Sequence, residues 1–279
     1  MKLDKRKINK IISAALKEDI GTGDITTNLI IPRNKKASAV FKAKEDGVIA
    51  GLDIAKAVFK SIDKNILWKS FVKDGRHVKK GEYIAEVKGN LRTLLACERT
   101  ALNILQRMSG IATATSKYVD AVKGTNAKIL DTRKTVPGLR MFDKYAVKAG
   151  SGTNHRFGLF DMVLIKDNHI KAAGNISTAV ANIKRNSERK IKIEVETTNI
   201  GEVREALNAK ADIIMFDNMT NKMKRRAVKI INGKAKTEAS GNVNLTTVRA
   251  IAKTGVDYIS VGAITHSVTA LDINMKIIL

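Results

Sequence analysis

Six short apolar segments in the second half of the chain are each followed by polar or glycine residues, which include the side chains best suited to chemistry. These segment ends are, in chain order, Arg133 with Lys134, then Lys166, Glu196, Asp217 with Asn218, Ser240 through Asn242, and Gly262 with Ala263. One charged residue after an apolar segment would carry little information. Six successive polar ends are difficult to explain as solvated loops, so we predict that they converge on one site.

Two of these ends are carboxylates, Glu196 and Asp217. Such a pair can hold a hydrated Mg²⁺ or accept hydrogen bonds from ribose hydroxyls. The alternative is a structural ion pair with nearby lysines, and the pattern by itself leaves both interpretations open.

The last two ends contain glycine, Gly241 and Gly262. A glycine turn that leads into a helix exposes backbone N–H groups to an anion. Asn244 can cap a helix predicted to begin at Leu245. We therefore expect a phosphate-binding turn at these two ends.

The loop after the first apolar segment, residues 133–158, is strongly basic. Lys144 and Lys148 are expected on the solvated face of a helix over 139–149. The loop contains one acidic residue, Asp143, together with His155 and these cations: Arg133, Lys134, Arg140, Lys144, Lys148 and Arg156. Arginine guanidinium groups bind carboxylates and phosphates in bidentate geometry, so the loop predicts an anionic substrate.

The elements that must position these residues alternate between strand and helix. The six apolar segments, read as strands, cover 127–132, 162–166, 191–197, 212–218, 237–241 and 256–263, with helical patterns at 176–185, 201–209, 222–231 and 245–253. This alternation predicts a covered parallel sheet, either doubly wound or closed into a barrel. The barrel is favoured because no Gly-x-Gly-x-x-Gly turn follows the first strand.

The first hundred residues have a different pattern. They predict a helix from the spacing of Ile8, Ile11 and Ile12, strands at 37–41 and 47–50, a helix at 53–59 and a hairpin over 72–89. Residues 92–123 are helical in pattern, and Gly110 predicts a joint between two helices there. We expect a separate α/β domain in this part of the chain.

Composition limits the class of protein. Among 279 residues, 51 Lys and Arg against 27 Asp and Glu give a net charge of +24, which favours anionic partners: nucleic acid, membrane lipid or small phosphates. The one cysteine, Cys97, cannot form an intrachain disulfide and fits a cytoplasmic location. No apolar stretch is long enough to span a bilayer, and Lys17, Glu18 and Asp19 interrupt any secretory signal.

Nine motifs, in order over almost the whole chain, carry a resemblance to a known family. They are Glu18–Thr27, Glu98–Asn103, Asp131–Gly138, Lys148–Arg156, Ile165–His169, Glu194–Glu196, Phe216–Asn218, Glu238–Asn242 and Ile259–His266. Together they resemble the quinolinate phosphoribosyltransferase (decarboxylating) family, also called nicotinate-nucleotide pyrophosphorylase. The Thr-Arg-Lys-Thr and Asn-His-Arg segments are specific in combination.

The resemblance implies an N-terminal open α/β sandwich domain (1–108), a C-terminal helix (267–279) packed back on it, and an incomplete α/β barrel (109–266). It implies transfer of phosphoribosyl from phosphoribosyl pyrophosphate to quinolinate, which yields nicotinate mononucleotide, pyrophosphate and CO₂ in NAD biosynthesis. It also implies a Mg²⁺ requirement and a homodimer, with a higher oligomer left open, in which the N-terminal domain of one subunit covers the barrel mouth of the other.

The family's functional residues carry over position by position. Lys134, Lys166, Glu196 and Asp217 are the implied catalytic residues: the two lysines neutralise pyrophosphate, and the two carboxylates hold the ribose hydroxyls and, through water, Mg²⁺. The implied substrate-binding set includes these four residues and Thr132. Quinolinate's two carboxylates are bound by Arg99 acting in trans, Arg133, His155, Arg156 and Lys166. The 5′-phosphate is cradled by Ser240, Gly241, Asn242, Gly262 and Ala263, with His266 nearby. Asn242 stands where many members have glycine, and asparagine tolerates left-handed backbone angles.

Three other functions remain as alternatives. A molybdenum-transport-associated paralogue and a nicotinate phosphoribosyltransferase share the implied fold, but the cluster of Arg133, His155, Arg156 and Lys166 suits two carboxylates better than one. A basic nucleic-acid-binding protein would account for the net charge. Nucleic acid is nevertheless an unlikely partner because there is no recognition module and aromatic residues for base stacking are few.

Overall fold

The computed structural model describes residues 4–279, so the first three residues of the predicted N-terminal domain lie outside the described residues. The chain divides into two compact units. The first contains the described residues up to Ser116 together with Thr135–Ser151 and Ile264–Leu279. The second contains Lys117–Lys134 and Gly152–Ala263. The predicted domain bounds, 1–108 and 109–266, stay a prediction; in this division residues 109–116, 135–151 and 264–266 also belong to the first unit.

The helices and strands alternate throughout the second unit and are mixed in the first. The helices are α1 (Lys5–Ile20), α2 (Ile25–Ile30), α3 (Leu52–Ile62), α4 (Leu91–Ala121), α5 (Arg140–Ala149), α6 (Asp167–Ala173), α7 (Ile176–Asn186), α8 (Ile200–Asn208), α9 (Asn221–Ile231), α10 (Val248–Ala252) and α11 (Ala263–His266). The strands are β1 (Lys36–Ala43), β2 (Gly47–Val48), β3 (Leu67–Ser70), β4 (His77–Val78), β5 (Tyr83–Asn90), β6 (Lys128–Leu130), β7 (Val163–Ile165), β8 (Ile193–Thr197), β9 (Ile213–Asp217), β10 (Lys236–Ser240), β11 (Tyr258–Ser260) and β12 (Ile273–Ile278). Within residues 4–279, no helix combines the length and apolar character needed to cross a bilayer.

The first unit contains a four-stranded antiparallel sheet in the order β12-β1-β5-β3. The predicted C-terminal helix over 267–279 is wrong: the segment forms β12, which pairs with β1 of the N-terminal sheet. Ile273 and Met275 alternate with more exposed residues, which is the period of a strand rather than of a helix. The prediction that this segment packs against the N-terminal domain is confirmed.

Two further local predictions in the first unit are wrong. The hairpin over 72–89 does not form, because β4 pairs with β2 while β5 pairs with β1 and β3. The joint at Gly110 is also absent, since α4 runs unbroken through it. A Cβ atom at Gly110 would lie 2.1 Å from the carbonyl oxygen of Thr269. Glycine is therefore needed there for close approach of two backbones and not to break a helix.

Helix α5 is tied into the core of the first unit by charged side chains. Asp143 is fully buried and accepts two hydrogen bonds from Arg107, at 3.0 and 2.8 Å. Lys148 is exposed as expected, whereas Lys144 is buried, with 1% of its surface exposed, so its predicted place on a solvated face is wrong. Because α5 buries these side chains and pairs with Arg107, the segment 135–151 belongs to the first unit.

Cys97 lies in the core of the first unit with no exposed surface. Burial raises the pKa of its thiol to about 12, and the thiolate is the reactive form. We expect a thiol-specific reagent at pH 8 to leave the native protein unlabelled and to label one cysteine in denaturant. Stoichiometric labelling of the native protein would contradict this account of the core.

The second unit contains a six-stranded, fully parallel sheet in the order β6-β11-β10-β9-β8-β7. Each of the six predicted strands is confirmed, and α7, α8 and α9 confirm three of the four helical patterns between them almost residue for residue. The two edge strands of this sheet are β6 and β7, and among the described residues they do not pair with each other. This open parallel sheet is the architecture expected of an incomplete α/β barrel. All six strands end at the same edge because they run in one direction.

Candidate active site

The carboxyl edge of the parallel sheet holds the predicted site residues of the second unit. Lys166 directly follows β7, Glu196 is the penultimate residue of β8, and Asp217 and Ser240 end β9 and β10 at paired register positions. Residues 132–134 follow β6, and 262–263 follow β11. The topology therefore brings these residues to one edge, as the alternating pattern predicts.

Lys166 and Glu196 form an ion pair across neighbouring strands. The Lys166 Nζ atom lies 3.2 Å from Glu196 Oε2, and about half of the lysine side chain is exposed. The backbone N–H of Lys166 donates to Nδ1 of His169 at 3.0 Å, which fixes the backbone where α6 begins. Sequence reasoning noted His169 only as part of a motif and did not assign it this role.

Glu196 and Asp217 lie at the ends of adjacent strands and present carboxylate oxygens at the same edge. Mg²⁺ is commonly bound by one or two carboxylates, with water and substrate phosphates completing its coordination. This donor set fits a Mg²⁺ ion that is shared with an anionic substrate.

A buried lysine supports the loop after Asp217. Lys224 on α9 is 4% exposed, and its Nζ donates to the carbonyl oxygen of Met219 at 2.5 Å. Burial lowers the pKa of Lys224, and the nearby charge of Asp217 partly offsets this effect. This contact could not be predicted from the sequence, because Lys224 stands among cations that are otherwise exposed.

The turn after β10 has the backbone geometry expected of an anion-binding turn. Gly241 has φ +89° and Asn242 has φ +52°, so the expectation that asparagine adopts the left-handed region here is confirmed. The Asn244 side chain accepts N–H bonds from Thr246 and Thr247, both at 3.0 Å. The predicted helix cap is therefore wrong: α10 begins at Val248 with Thr247 as its N-cap, and Asn244 stabilises the turn that precedes the helix.

Two arginines carry positive charge near the first two strands of the second unit: Arg133 follows β6 and Arg156 precedes β7. Burial lowers the pKa of Arg156, and repulsion from Arg133 lowers it further, while Glu194 acts in the opposite direction. The Arg156 guanidinium donates to the carbonyl oxygen of Met162 at 3.2 Å. An anionic ligand would relieve this repulsion between neighbouring cations. Beside them, the Lys134 N–H donates to the Thr132 hydroxyl at 3.1 Å.

The side chain of His155 is buried next to two acidic side chains, Glu194 on β8 and Glu238 on β10. Its Nδ1 accepts the N–H of Arg156 at 2.7 Å, and its Nε2 lies 3.0 Å from Glu194 Oε2 and 3.7 Å from Glu238 Oε1. This geometry selects the tautomer with the proton on Nε2. His155 therefore holds the backbone of Arg156, and its predicted contact with substrate stays a prediction.

Glu194 and Glu238 form a buried pair of carboxylates beneath His155. Both are fully buried, and Ser260 donates a hydrogen bond to Glu238. Burial and the nearby charge of Glu194 raise the pKa of Glu238 to about 8. With His155 they place three ligand-type atoms within 4.8 Å of one another. A proton on Glu238 relieves the repulsion between the two acids. Both acids lie inside apolar strands, and this sequence signal was missed.

Because the pKa of Glu238 is raised in the folded protein, we expect its stability to fall as pH rises, and Glu238→Gln should remove this contribution. Because the folded pKa lies above the unfolded value, this group favours folding below about pH 4.3 and loses that contribution as pH rises toward 8. One such proton changes the free energy of unfolding by up to about 1.4 kcal/mol per pH unit. Glutamine keeps the shape without the proton, so we expect the variant to lose less stability than wild type between pH 5 and 8.

Urea denaturation at pH 5 and pH 8 measures this difference. Glu188→Gln is the matched control because Glu188 is exposed, and it should follow the wild-type pH dependence. Identical pH dependence in wild type and Glu238→Gln would show that Glu238 is ionised in the folded protein.

The two remaining predicted site residues belong to the first unit. Arg99 is exposed on α4, and His266 is exposed at the end of α11, with Nδ1 2.7 Å from the Ser267 hydroxyl. Their participation in the site stays a prediction.

An open parallel α/β sheet whose carboxyl edge combines cations, two carboxylates and a left-handed turn is the arrangement of an α/β-barrel protein with a candidate anion site. Comparison with known proteins makes this more specific. The family models for the N-terminal and C-terminal domains of quinolinate phosphoribosyl transferase match residues 24–109 and 111–276.

Individual relatives agree with the family models. The chain is 47% identical over 289 residues to quinolinate phosphoribosyltransferase (decarboxylating) 2b, mitochondrial, of Nicotiana tabacum, covering 97% of this chain and 82% of the relative. It is 45% identical over 273 residues to a probable nicotinate-nucleotide pyrophosphorylase (carboxylating) of Bacillus subtilis, covering 98% and 94%. The crystal structure of NadC from Streptococcus pyogenes superposes with a TM-score of 0.96 at 40% identity, covering 99% and 98%. The chain belongs to the quinolinate phosphoribosyltransferase family.

Proposed function

We propose that the carboxyl edge of the parallel sheet transfers the phosphoribosyl group of phosphoribosyl pyrophosphate to quinolinate. The products are nicotinate mononucleotide, pyrophosphate and CO₂, which makes this a step of NAD biosynthesis. The observation that carries the assignment is the convergence of Lys166, Glu196, Asp217 and Ser240 on the carboxyl edge of the parallel sheet. The comparisons support the same reaction, because the relatives are named for it.

The choice of quinolinate follows from the number of cations. Arg133, Arg156 and Lys166 offer two guanidinium groups and an ammonium, and a guanidinium can bind a carboxylate through two parallel hydrogen bonds. A dicarboxylate matches this set better than the monocarboxylate nicotinate. Thr132 and His155 help to shape the loop that carries the two arginines.

The phosphoribosyl donor occupies the other half of the edge. Backbone N–H groups of the turn 240–242 and of residues 262–263 bind its 5′-phosphate, while Glu196 and Asp217 accept hydrogen bonds from the ribose hydroxyls. Lys134 and Lys166 neutralise the pyrophosphate. Glu196 and Asp217 would hold Mg²⁺ through water, and the bound ion supplies further positive charge for the phosphates.

The transfer step needs no strong general base. The ring nitrogen of quinolinate donates its electron pair to ribose C1, and the bond from C1 to pyrophosphate breaks with its electrons leaving on pyrophosphate. Positive charge develops at the ribose in the transition state, where Glu196 and Asp217 stabilise it. Lys134 and Lys166 stabilise the negative charge that grows on the leaving group.

Loss of CO₂ follows the transfer. Once the ring nitrogen carries the ribose, its positive charge stabilises the electron pair left on C2 when the bond to the adjacent carboxylate breaks. A proton from water then completes nicotinate mononucleotide. A quinolinate analogue that keeps the 2-carboxylate but cannot accept ribose should therefore retain its CO₂ on the enzyme.

The proposed assembly is a cytoplasmic homodimer in which Arg99 of each subunit reaches the site of the other. Mixing Arg99→Ala with Asp217→Asn, each nearly inactive alone, tests this assembly. Subunit exchange would create mixed dimers with one intact site, and a random mixture should regain about one quarter of wild-type activity. Absence of recovery in dimers proven to exchange would place Arg99 in its own subunit's site or outside any site.

The substrate assignment is tested by offering quinolinate and nicotinate in parallel with phosphoribosyl pyrophosphate and Mg²⁺. We expect nicotinate mononucleotide from quinolinate only, and Arg133→Ala should raise the KM for quinolinate. Product from nicotinate alone would identify a nicotinate phosphoribosyltransferase. Product from neither, in folded protein, would favour the molybdenum-transport-associated paralogue.

A further inference from the structure

Asn218 connects two parts of the site that come from different strands. It directly follows Asp217 at the end of β9 and has φ +52°, a left-handed conformation that asparagine tolerates better than most residues. Its backbone N–H donates to the carbonyl oxygen of Ser240 at 3.1 Å. The end of β9 is thereby joined to the first residue of the phosphate turn, defined here as Ser240–Asn242.

The side-chain amide of Asn218 makes two hydrogen bonds in opposite directions. Its Nδ2 lies 3.0 Å from Asp217 Oδ2, and its Oδ1 accepts from Asn242 Nδ2 at 3.1 Å. An ionised carboxylate only accepts hydrogen bonds, so the amide nitrogen of Asn218 must face Asp217. Its oxygen then faces the NH₂ group of Asn242, and the chemistry of the three groups fixes the orientation of the amide.

The amide also packs directly on the backbone of the phosphate turn. A Cβ atom at Gly241 would lie 2.1 Å from Asn218 Oδ1 and 2.4 Å from its Cγ. Gly241 is therefore required both by its φ of +89° and by the amide that covers it. The position of the Asn218 side chain and the shape of the turn depend on each other.

We propose that Asn218 is a positioning residue that couples the phosphate turn to the Asp217 carboxylate. This inference rests on the proposed function, in which the turn binds the 5′-phosphate and Asp217 binds the ribose hydroxyls of one donor molecule. Asn218 sets the orientation of Asp217 relative to the turn, so the two ends of phosphoribosyl pyrophosphate are held in register. Asn242 serves as its second anchor.

Kinetics of Asn218→Ala, Asn242→Gly and the double variant test the coupling. Because small errors in substrate position are costly in the transition state, Asn218→Ala should lower kcat/KM for phosphoribosyl pyrophosphate by ~10–100-fold. The KM for quinolinate should stay within about threefold of wild type, since the hydrogen bonds of Asn218 go to Asp217 and to the phosphate turn. Asn242→Gly removes one of the two hydrogen bonds and should have a smaller effect.

The double variant separates coupling from two independent contributions. If Asn242 acts through Asn218, Asn218→Ala/Asn242→Gly should be no worse than Asn218→Ala alone. Asn199→Ala is the matched control, because Asn199 caps α8 in the preceding strand–helix loop and has no partner in this network. It should change thermal stability but leave both KM values unchanged.

Calorimetry of phosphoribosyl pyrophosphate binding in the absence of quinolinate tests the coupling independently of the proposed reaction. A wild-type protein that binds the donor but forms no product would refute the proposed function, and weaker donor binding by Asn218→Ala would still support the coupling. Donor affinity and kcat/KM within about threefold of wild type in a folded Asn218→Ala protein would overturn the inference. Strictly additive effects in the double variant would overturn it as well.

Discussion

Replacing Asp217 by asparagine is expected to lower kcat by ~10²–10³-fold with little change in the fold, because a preorganised charge at the developing cation is lost. Asparagine has the same shape and can still accept a hydrogen bond from Asn218, so the change removes charge and little else. The proposed role concerns the transition state more than substrate binding. The KM for phosphoribosyl pyrophosphate should therefore change less than kcat.

The same strand provides the control for this substitution. Asp212 precedes the opposite end of β9, where its carboxylate accepts the N–H of Ile193 at 2.8 Å. Asp212→Asn should leave kcat within about threefold of wild type. Steady-state kinetics at saturating substrates compares the two variants, and equal, small effects would remove Asp217 from the reaction.

Arg107→Ala is expected to cause the largest loss of stability, about 3–5 kcal/mol in the free energy of unfolding, because it leaves a buried carboxylate without its cation. Asp143 has no exposed surface and receives two hydrogen bonds from Arg107. Arg107 also donates to the carbonyl oxygen of Thr265 at 3.3 Å. Urea denaturation measures the difference.

An exposed ion pair gives the comparison. Arg76 and Glu82 lie 2.9 Å apart, but 57% of the Arg76 side chain is exposed. Arg76→Ala should therefore cost no more than about 1 kcal/mol. Removing both partners of the buried pair, with Arg107→Met and Asp143→Leu together, should cost less than Arg107→Ala alone. Equal costs for Arg107→Ala and Arg76→Ala would contradict the buried assignment.

The parallel sheet was predictable because its strands are covered on both faces. Such strands appear as uninterrupted apolar segments, and each of the six was found where the segments indicated. The gathering of the candidate site residues at one edge was predictable from the same pattern, since parallel strands all end at one edge. Residue types at these ends, above all Glu196 and Asp217, then indicated the chemistry.

The parts that could not be predicted depend on contacts between distant segments. Strand β12 pairs with β1, more than two hundred residues earlier, and no local pattern specifies such a partner. Lys144 has the sequence context of a solvated lysine but is buried. Gly110 resembles a helix breaker until the close approach of Thr269 is known.

Within the site, the supporting residues were harder to predict than the residues they support. His169 and Lys224 each act on a neighbouring backbone group through one hydrogen bond, and Asn218 orients its neighbours through several. These contacts depend on φ angles and loop geometry that residue spacing does not determine. The buried acids Glu194 and Glu238 were visible as charged residues inside apolar strands, and this signal merited more weight.

Release of labelled CO₂ from quinolinate carrying the label in its 2-carboxylate is the most direct test of the account. In the presence of Mg²⁺, release should require phosphoribosyl pyrophosphate and equal the nicotinate mononucleotide formed, and both should be almost absent in Asp217→Asn. Release of CO₂ without phosphoribosyl pyrophosphate, or full activity in Asp217→Asn, would contradict the proposed reaction at this site.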